Sequence, residues 1–140
     1  MTARILLVDD DRAALFALRE LLADLDATLV LAATGEEALR QVLKQPFAAI
    51  MLDVRLPGMD GFEVAAAIRS LERLRRTPII FMSAHSDRRK QARPGAMPEC
   101  YLRKPLAPEV VRAKLAELVD EYQRQVPSEG GAHEYDAKLA

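Results

Sequence analysis

Five short apolar runs, each separated from the next by a stretch of helical periodicity, restrict this 140-residue chain more than any other feature. The runs cover residues 5–8, 28–32, 48–52, 78–82 and, more weakly, 100–102, and they are rich in Val, Ile and Leu. Between them apolar residues recur every three or four positions: Leu15, Leu18, Leu22 and Leu25; Ala38 and Val42 beside Leu39 and Leu43; Val64, Ile68 and Leu71; then Val111, Leu115, Leu118 and Tyr122. Strands that are apolar throughout, rather than at alternate positions, are buried on both faces. A helix between successive strands supplies the crossover that a parallel pair requires. The predicted class is α/β, a doubly wound parallel five-stranded sheet.

Local signals mark several boundaries. Thr34-Gly35-Glu36-Glu37 has the form of a capping box, with Thr34 as N-cap and Glu37 reaching back, and Pro108 suits the first turn of the last helix. Asp11 is of the type preferred at an N-cap, and Asp60 in LPGMDGF starts a helix or turn. Residues 86–99 are less regular: a basic run over 88–93 is followed by Pro94, Gly95 and Pro98, so a short, distorted fourth helix is expected there. From Pro127 onward there is no apolar periodicity. We therefore expect a domain over 1–126 and a flexible tail or truncated linker over 127–140.

Composition excludes several function classes. Half of the residues are apolar, enough for a core, while 20 Lys and Arg against 21 Asp and Glu leave a net charge of −1. Such a balance gives no overall attraction to nucleic acid or anionic membrane. The longest unbroken apolar runs, 13–18 and 47–52, are far shorter than the roughly 20 residues of a membrane span. Three carboxylates follow the first apolar run where a secretory leader would stay apolar, so a cytoplasmic chain is expected. One cysteine, Cys100, with two histidines makes neither an internal disulfide nor a closed zinc site.

In an open α/β sheet, ligands bind outside the carboxyl ends of the strands. Here those ends are polar: Asp9, Asp10 and Asp11 follow the first run, Asp53 the third, Ser83 the fourth and Lys104 the fifth. Carboxylates gathered at one edge repel unless a hard cation neutralises them, and Mg2+ (or Mn2+) suits oxygen ligands. A carboxylate beside a metal, a hydroxyl and an ammonium is an arrangement for phosphoryl transfer, with Asp53 as nucleophile. Taken singly, Asp11 reads as a helix cap, Ser83 as a turn hydroxyl and Lys104 as a solvated charge. The basic run Arg88-Arg89-Lys90 with Arg93 lacks interleaved aromatics and reads as a solvated face, not a nucleic-acid surface.

The joint placement of VDDD, MLDVRLPGMDGF, FMSA and YLRKPL at successive strand ends resembles the receiver (phosphoacceptor) domain of two-component response regulators, from residue 4 to about 124. The resemblance implies a flavodoxin-like (βα)5 fold with strand order 2-1-3-4-5. It implies that Asp9 and Asp10 hold magnesium together with Asp53 and the backbone carbonyl of Arg55. Asp53 would be phosphorylated by a histidine kinase or phosphotransfer protein. Ser83 and Tyr101 would be the switch pair, Lys104 the phosphate-binding lysine, and the Lys104–Pro105 bond cis. Such a domain is a signalling module rather than an enzyme, able to label itself from small donors and to lose the label again. It alters affinity for a downstream protein or fused output domain, with a possible homodimer through the face of the fourth helix, fifth strand and last helix, or through the last helix alone. Gly95-Ala96 comes early relative to Tyr101, and Pro94 shortens the preceding helix, so a remodelled output face is expected. Arg55 and His85, two residues beyond Asp53 and Ser83, stand where side chains reach a phosphoryl group. Two competing readings are a magnesium-dependent phosphohydrolase and an interaction domain without chemistry. The first lacks a second carboxylate spaced for acid catalysis beside Asp53; the second is at odds with a full set of acidic, hydroxyl and lysine positions.

Overall fold

The computed structural model describes residues 3–84 and 100–125. In chain order these form β1 (Ala3–Val8), α1 (Arg12–Leu21), β2 (Ala27–Ala32), α2 (Gly35–Lys44), β3 (Ala49–Asp53), α3 (Gly61–Arg69), a 3-10 turn (Glu72–Leu74), β4 (Ile79–Ser83), β5 (Cys100–Arg103) and α4 (Pro108–Gln125). The sheet order is β2-β1-β3-β4-β5, every pairing parallel, as expected. The helix anticipated within 86–99, the altered segment before Tyr101, His85 and the tail from 127 all lie outside the described residues.

The pleat divides the core in two. Leu6, Val8, Ile50, Leu52, Ile79 and Phe81 point to one face, where Ala38 and Val42 of α2 and Phe62, Val64 and Ile68 of α3 cover them. Ile5, Leu7, Met51, Ile80 and Met82 point to the other, under Leu15 and Leu18 of α1 and Val111, Leu115 and Val119 of α4. Alternate residues of one strand thus feed opposite layers, which is why the central strands carry no polar face. Gly35 is the close-approach point between α2 and α3: a Cβ there would lie 2.7 Å from Cγ2 of Val64.

The helix starts follow their local chemistry. The Asp11 carboxylate accepts the N–H groups of Ala13 and Ala14, at 2.9 and 3.4 Å, and the Thr34 hydroxyl accepts that of Glu37 at 3.1 Å. A full reciprocal box forms at Asp60: its carboxylate accepts the Glu63 N–H at 2.9 Å, and the Glu63 carboxylate accepts the Asp60 N–H at 3.0 Å. Two helices end earlier than the apolar spacing suggests. Leu22 is already the C-cap of α1, so Leu25 packs on the core from the following turn, and Leu71 does the same beyond α3. The polar turn Asp24–Asp26 must redirect the chain into β2, and hydrophobic periodicity does not register where such a turn begins.

Asp60 joins its cap to the loop behind Asp53, so Asp60→Ala should cost about 1 kcal/mol of stability, as loss of a helix N-cap does. Urea unfolding followed by circular dichroism measures it, with the slope against denaturant unchanged.

Candidate functional site

The register brings the strand ends into line. Val8 pairs with Leu52, so the residues that follow, Asp9 and Asp53, emerge side by side; Asp53 pairs with Met82, and Ser83 with Arg103 just before Lys104. β1 and β3 are also the strands between which the winding reverses direction, where an open sheet leaves a crevice.

Asp9 is wholly buried. Its N–H continues the β1–β2 ladder to the Ala32 carbonyl at 3.1 Å, its Oδ1 accepts the Asp11 N–H at 3.0 Å, and its Oδ2 accepts the Lys104 ammonium at 2.8 Å. Asp53, 7% exposed, accepts the Arg55 N–H on Oδ1 at 3.3 Å and Lys104 Nζ on Oδ2 at 3.3 Å. Lys104 therefore spans both carboxylates. Its own N–H donates to the Ser83 carbonyl at 2.8 Å, and the Lys104–Pro105 bond is cis, as the resemblance implied. Asp10 is exposed at the mouth, and one carboxylate oxygen each from Asp9, Asp10 and Asp53 lies within 4.8 Å of the others. Asp11 is turned to its cap, which is the plain reading the sequence favoured.

Two expected switch residues lie on the neighbouring strands β4 and β5. Ser83 ends β4, half-buried, one residue past the partner of Asp53. Tyr101 is half-buried on β5 and stacks on Phe81, with centroids 5.1 Å apart and planes at 17°; Phe81 in turn meets Phe62 at 4.9 Å. Three rings thus run from β5 through β4 to the first turn of α3. Arg55 is exposed and meets Asp53 through its backbone N–H.

Gly61 is a site residue that the sequence reading passed over. Its N–H donates to the Val54 carbonyl at 2.8 Å, and a Cβ would lie 2.3 Å from the Asp53 carbonyl oxygen, so any side chain would push the backbone that carries Asp53. The available signal was its position just inside a helix start and close behind an acidic strand end, which is weak without the fold.

Burial raises the Asp53 carboxyl above the ordinary range, and the neighbouring Asp9 charge adds to that; the Lys104 charge and the Arg55 N–H only partly offset it. For Lys104 burial acts downward, but the hydrogen bond to Asp9 and the charges of Asp53 and Asp9 prevail, so its ammonium is held more firmly than usual. Three oxygen donors with surplus negative charge, joined by no sulfur or imidazole among the described residues, form a set that suits a hard divalent cation of the magnesium type.

The sequence profile described as response regulator receiver domain matches residues 5–116. The chain belongs to the receiver-domain family. Among the relatives of this receiver domain, the response regulator MprA of Mycobacterium ulcerans is 38% identical over 120 residues, 85% of this chain and 51% of that protein. The sensor histidine kinase GacS of Pseudomonas protegens is 36% identical over 108 residues, 74% of this chain and 12% of that protein. The receiver domain thus spans from about an eighth to about half of these curated relatives. Chemotaxis protein CheY4 of Vibrio cholerae superposes with a TM-score of 0.76 at 30% identity, covering 84% of this chain and 99% of that one. The receiver domain of sensor histidine kinase PA1611 from Pseudomonas aeruginosa, solved with magnesium coordinated in its active-site cleft, gives 0.74 at 31%, covering 86% and 99%. The function of the family is phosphorelay signalling. Among the described residues of this receiver domain, no helix is long and apolar enough to cross a membrane.

A raised carboxyl value means that ionised Asp53 works against the fold. Its contribution to stability is present below the ordinary carboxylate range and is lost as pH rises through the raised value. Asp53→Asn should therefore melt above wild type at neutral pH in chelator, with the gap closing as pH falls into the carboxylate range. Adding Mg2+ should narrow it at neutral pH, as a cation held by the acidic cluster of wild type would relieve its repulsion. Melting curves across pH, with and without metal, check both statements.

Proposed function

We propose that this receiver domain is a phosphoacceptor switch in which Asp53 takes a phosphoryl group from the phosphohistidine of a histidine kinase or phosphotransfer protein. The observation that carries this reading is the Lys104 ammonium, 2.8 Å from Asp9 and 3.3 Å from Asp53 across 95 and 51 residues of sequence. An ammonium ion held there by a buried acid is a built counter-charge beside the reacting carboxylate.

In the step, an Asp53 carboxylate oxygen forms a bond to phosphorus as the bond from phosphorus to the donor imidazole nitrogen breaks. The nitrogen keeps that electron pair, and the product is an aspartyl acyl phosphate. Asp9, Asp10, Asp53 and the Arg55 carbonyl would hold Mg2+ (or Mn2+), which when bound supplies positive charge for the transferring oxygens. Lys104 exchanges its contact with Asp53 for one with a phosphoryl oxygen while keeping Asp9. Ser83 supplies a hydroxyl donor to another, and Tyr101 follows into the space it leaves. Inverting a 99 to 1 equilibrium takes about 5.5 kcal/mol of differential stabilisation. Because the Lys104 bond is exchanged rather than added, a graded population shift is expected.

The same reading covers the rest of the protein's setting. Relatives named as sensor histidine kinases and as response regulators support a kinase or phosphotransfer donor, and a downstream protein or fused output domain as receiver of the signal. We place it in the cytoplasm, with a homodimer through the face that includes β5 and α4, or through α4 alone, as an output. Arg55, exposed two residues past Asp53, would tune the lifetime of the acyl phosphate.

Incubation with magnesium and acetyl phosphate, read by intact mass, tests the proposal. Wild type should gain one phosphoryl group and Asp53→Asn none, and Lys104→Met should label about 10²-fold more slowly, the usual loss when one preorganised donor is removed. No adduct on wild type, with a beryllofluoride mimic also failing to bind, would overturn it.

A further inference from the structure

The opposite end of the sheet carries a second concavity, a groove of about 660 Å3 beneath the start of β3 and β4 and against the last turns of α4. Its charge is the reverse of the acidic site. Arg73, Arg75 and Arg76, from the turn and loop between α3 and β4, reach its wall, and Arg75 and Arg76 are exposed and make no ion pair among the described residues. One acid, Glu121, also lines it, but both its oxygens are occupied: Oε2 by Arg124 at 2.8 Å and Oε1 by Gln125 at 2.8 Å. The remainder is largely apolar, with buried Phe47 and half-buried Pro78, Leu118 and Tyr122.

The walls are held in place. Arg69 Nη1 donates to the Leu74 carbonyl at 2.9 Å, and the Thr77 N–H to the same carbonyl at 3.2 Å, which fixes the turn bearing the arginines. The floor belongs to the sheet: the Ala48 N–H donates to the Arg4 carbonyl at 2.7 Å, and the Pro78 carbonyl accepts the Ile50 N–H at 2.9 Å. A turn and floor fixed in this way lose little backbone freedom on binding. The volume lies within the roughly 300–1,000 Å3 of small-molecule clefts.

We infer that this groove binds a small phosphate ester with a flat ring, of which a nucleoside diphosphate is the type, at a site separate from Asp53. Guanidinium forks recognise phosphate oxygens in pairs, and two exposed ones with no ion pair among the described residues can hold more than one anionic group. A flat ring is the body that the Tyr122 side and the apolar wall would accept.

The test is calorimetric titration of the full chain in chelator, so that no divalent metal binds at the carboxylates. ADP should bind below 1 mM, while adenosine, lacking phosphates, and pyrophosphate, lacking the ring, should each bind about tenfold or more weakly. Arg75→Gln with Arg76→Gln should weaken ADP by a similar factor without changing the circular dichroism spectrum, both side chains being exposed. Labelling of Asp53 by acetyl phosphate should be unchanged in that variant, which keeps this site distinct from the phosphoacceptor. No ADP binding up to 1 mM would overturn the inference. Pyrophosphate binding as tightly as ADP would also overturn it by reducing the groove to a charge patch, as would affinity unaltered in the double variant.

Discussion

A single ammonium ion holds together a place where the fold would otherwise repel itself. Asp9 is sealed from solvent and Asp53 nearly so, and two carboxylates side by side at low dielectric oppose one another strongly. Lys104 lies against both. Its net worth to stability is not large by necessity, because burying ions costs much of what their attraction returns. Its structural consequence is definite: it sets where Asp53 Oδ2 sits and ties the end of β5 to the central strands. Under the proposed function the acidic cluster is a concession of stability to chemistry, of the kind functional sites commonly make.

That concession is possible because the surroundings are rigid. The two apolar layers grip β1, β3 and β4 from opposite sides, and the ladder continues past their ends through the Asp9 N–H to Ala32 and the Val54 N–H to Met82. Gly61 lets α3 begin directly against the Asp53 carbonyl, and the Asp60–Glu63 box fixes that start. The Phe62–Phe81–Tyr101 stack then extends from the same helix start across β4 to β5. Asp53 and Tyr101 are thus attached to one packed unit, although their side chains serve different ends of it.

The sheet is also electrically two-ended. Carboxylates collect where the parallel strands finish, and guanidinium groups collect where β3 and β4 begin, those of Arg75 and Arg76 making no ion pair among the described residues, with little net charge overall. The same two strands therefore connect an acidic site at one end to a basic groove at the other.

Much of this was legible in the chain. Five apolar runs with helical stretches between them specify a parallel sheet covered on both faces, because burial on two sides leaves no alternation. The polar residues that end those runs become the site because strand ends in such a sheet converge. Asp11 and Thr34 announced their caps locally. Other features were not readable. The ends of α1 and α3 depend on where the chain must turn, the need for glycine at position 61 depends on a backbone met only after folding, and the ring stack depends on strand register. The basic groove combines Phe47, Arg75, Arg76 and Tyr122, which share no spacing in sequence. Short-range patterns decide which elements form, since each element's energy lies in residues a few positions apart. Distances such as those from Lys104 to Asp9 and Asp53 join residues 95 and 51 apart, and only the packing of the whole sheet could set them.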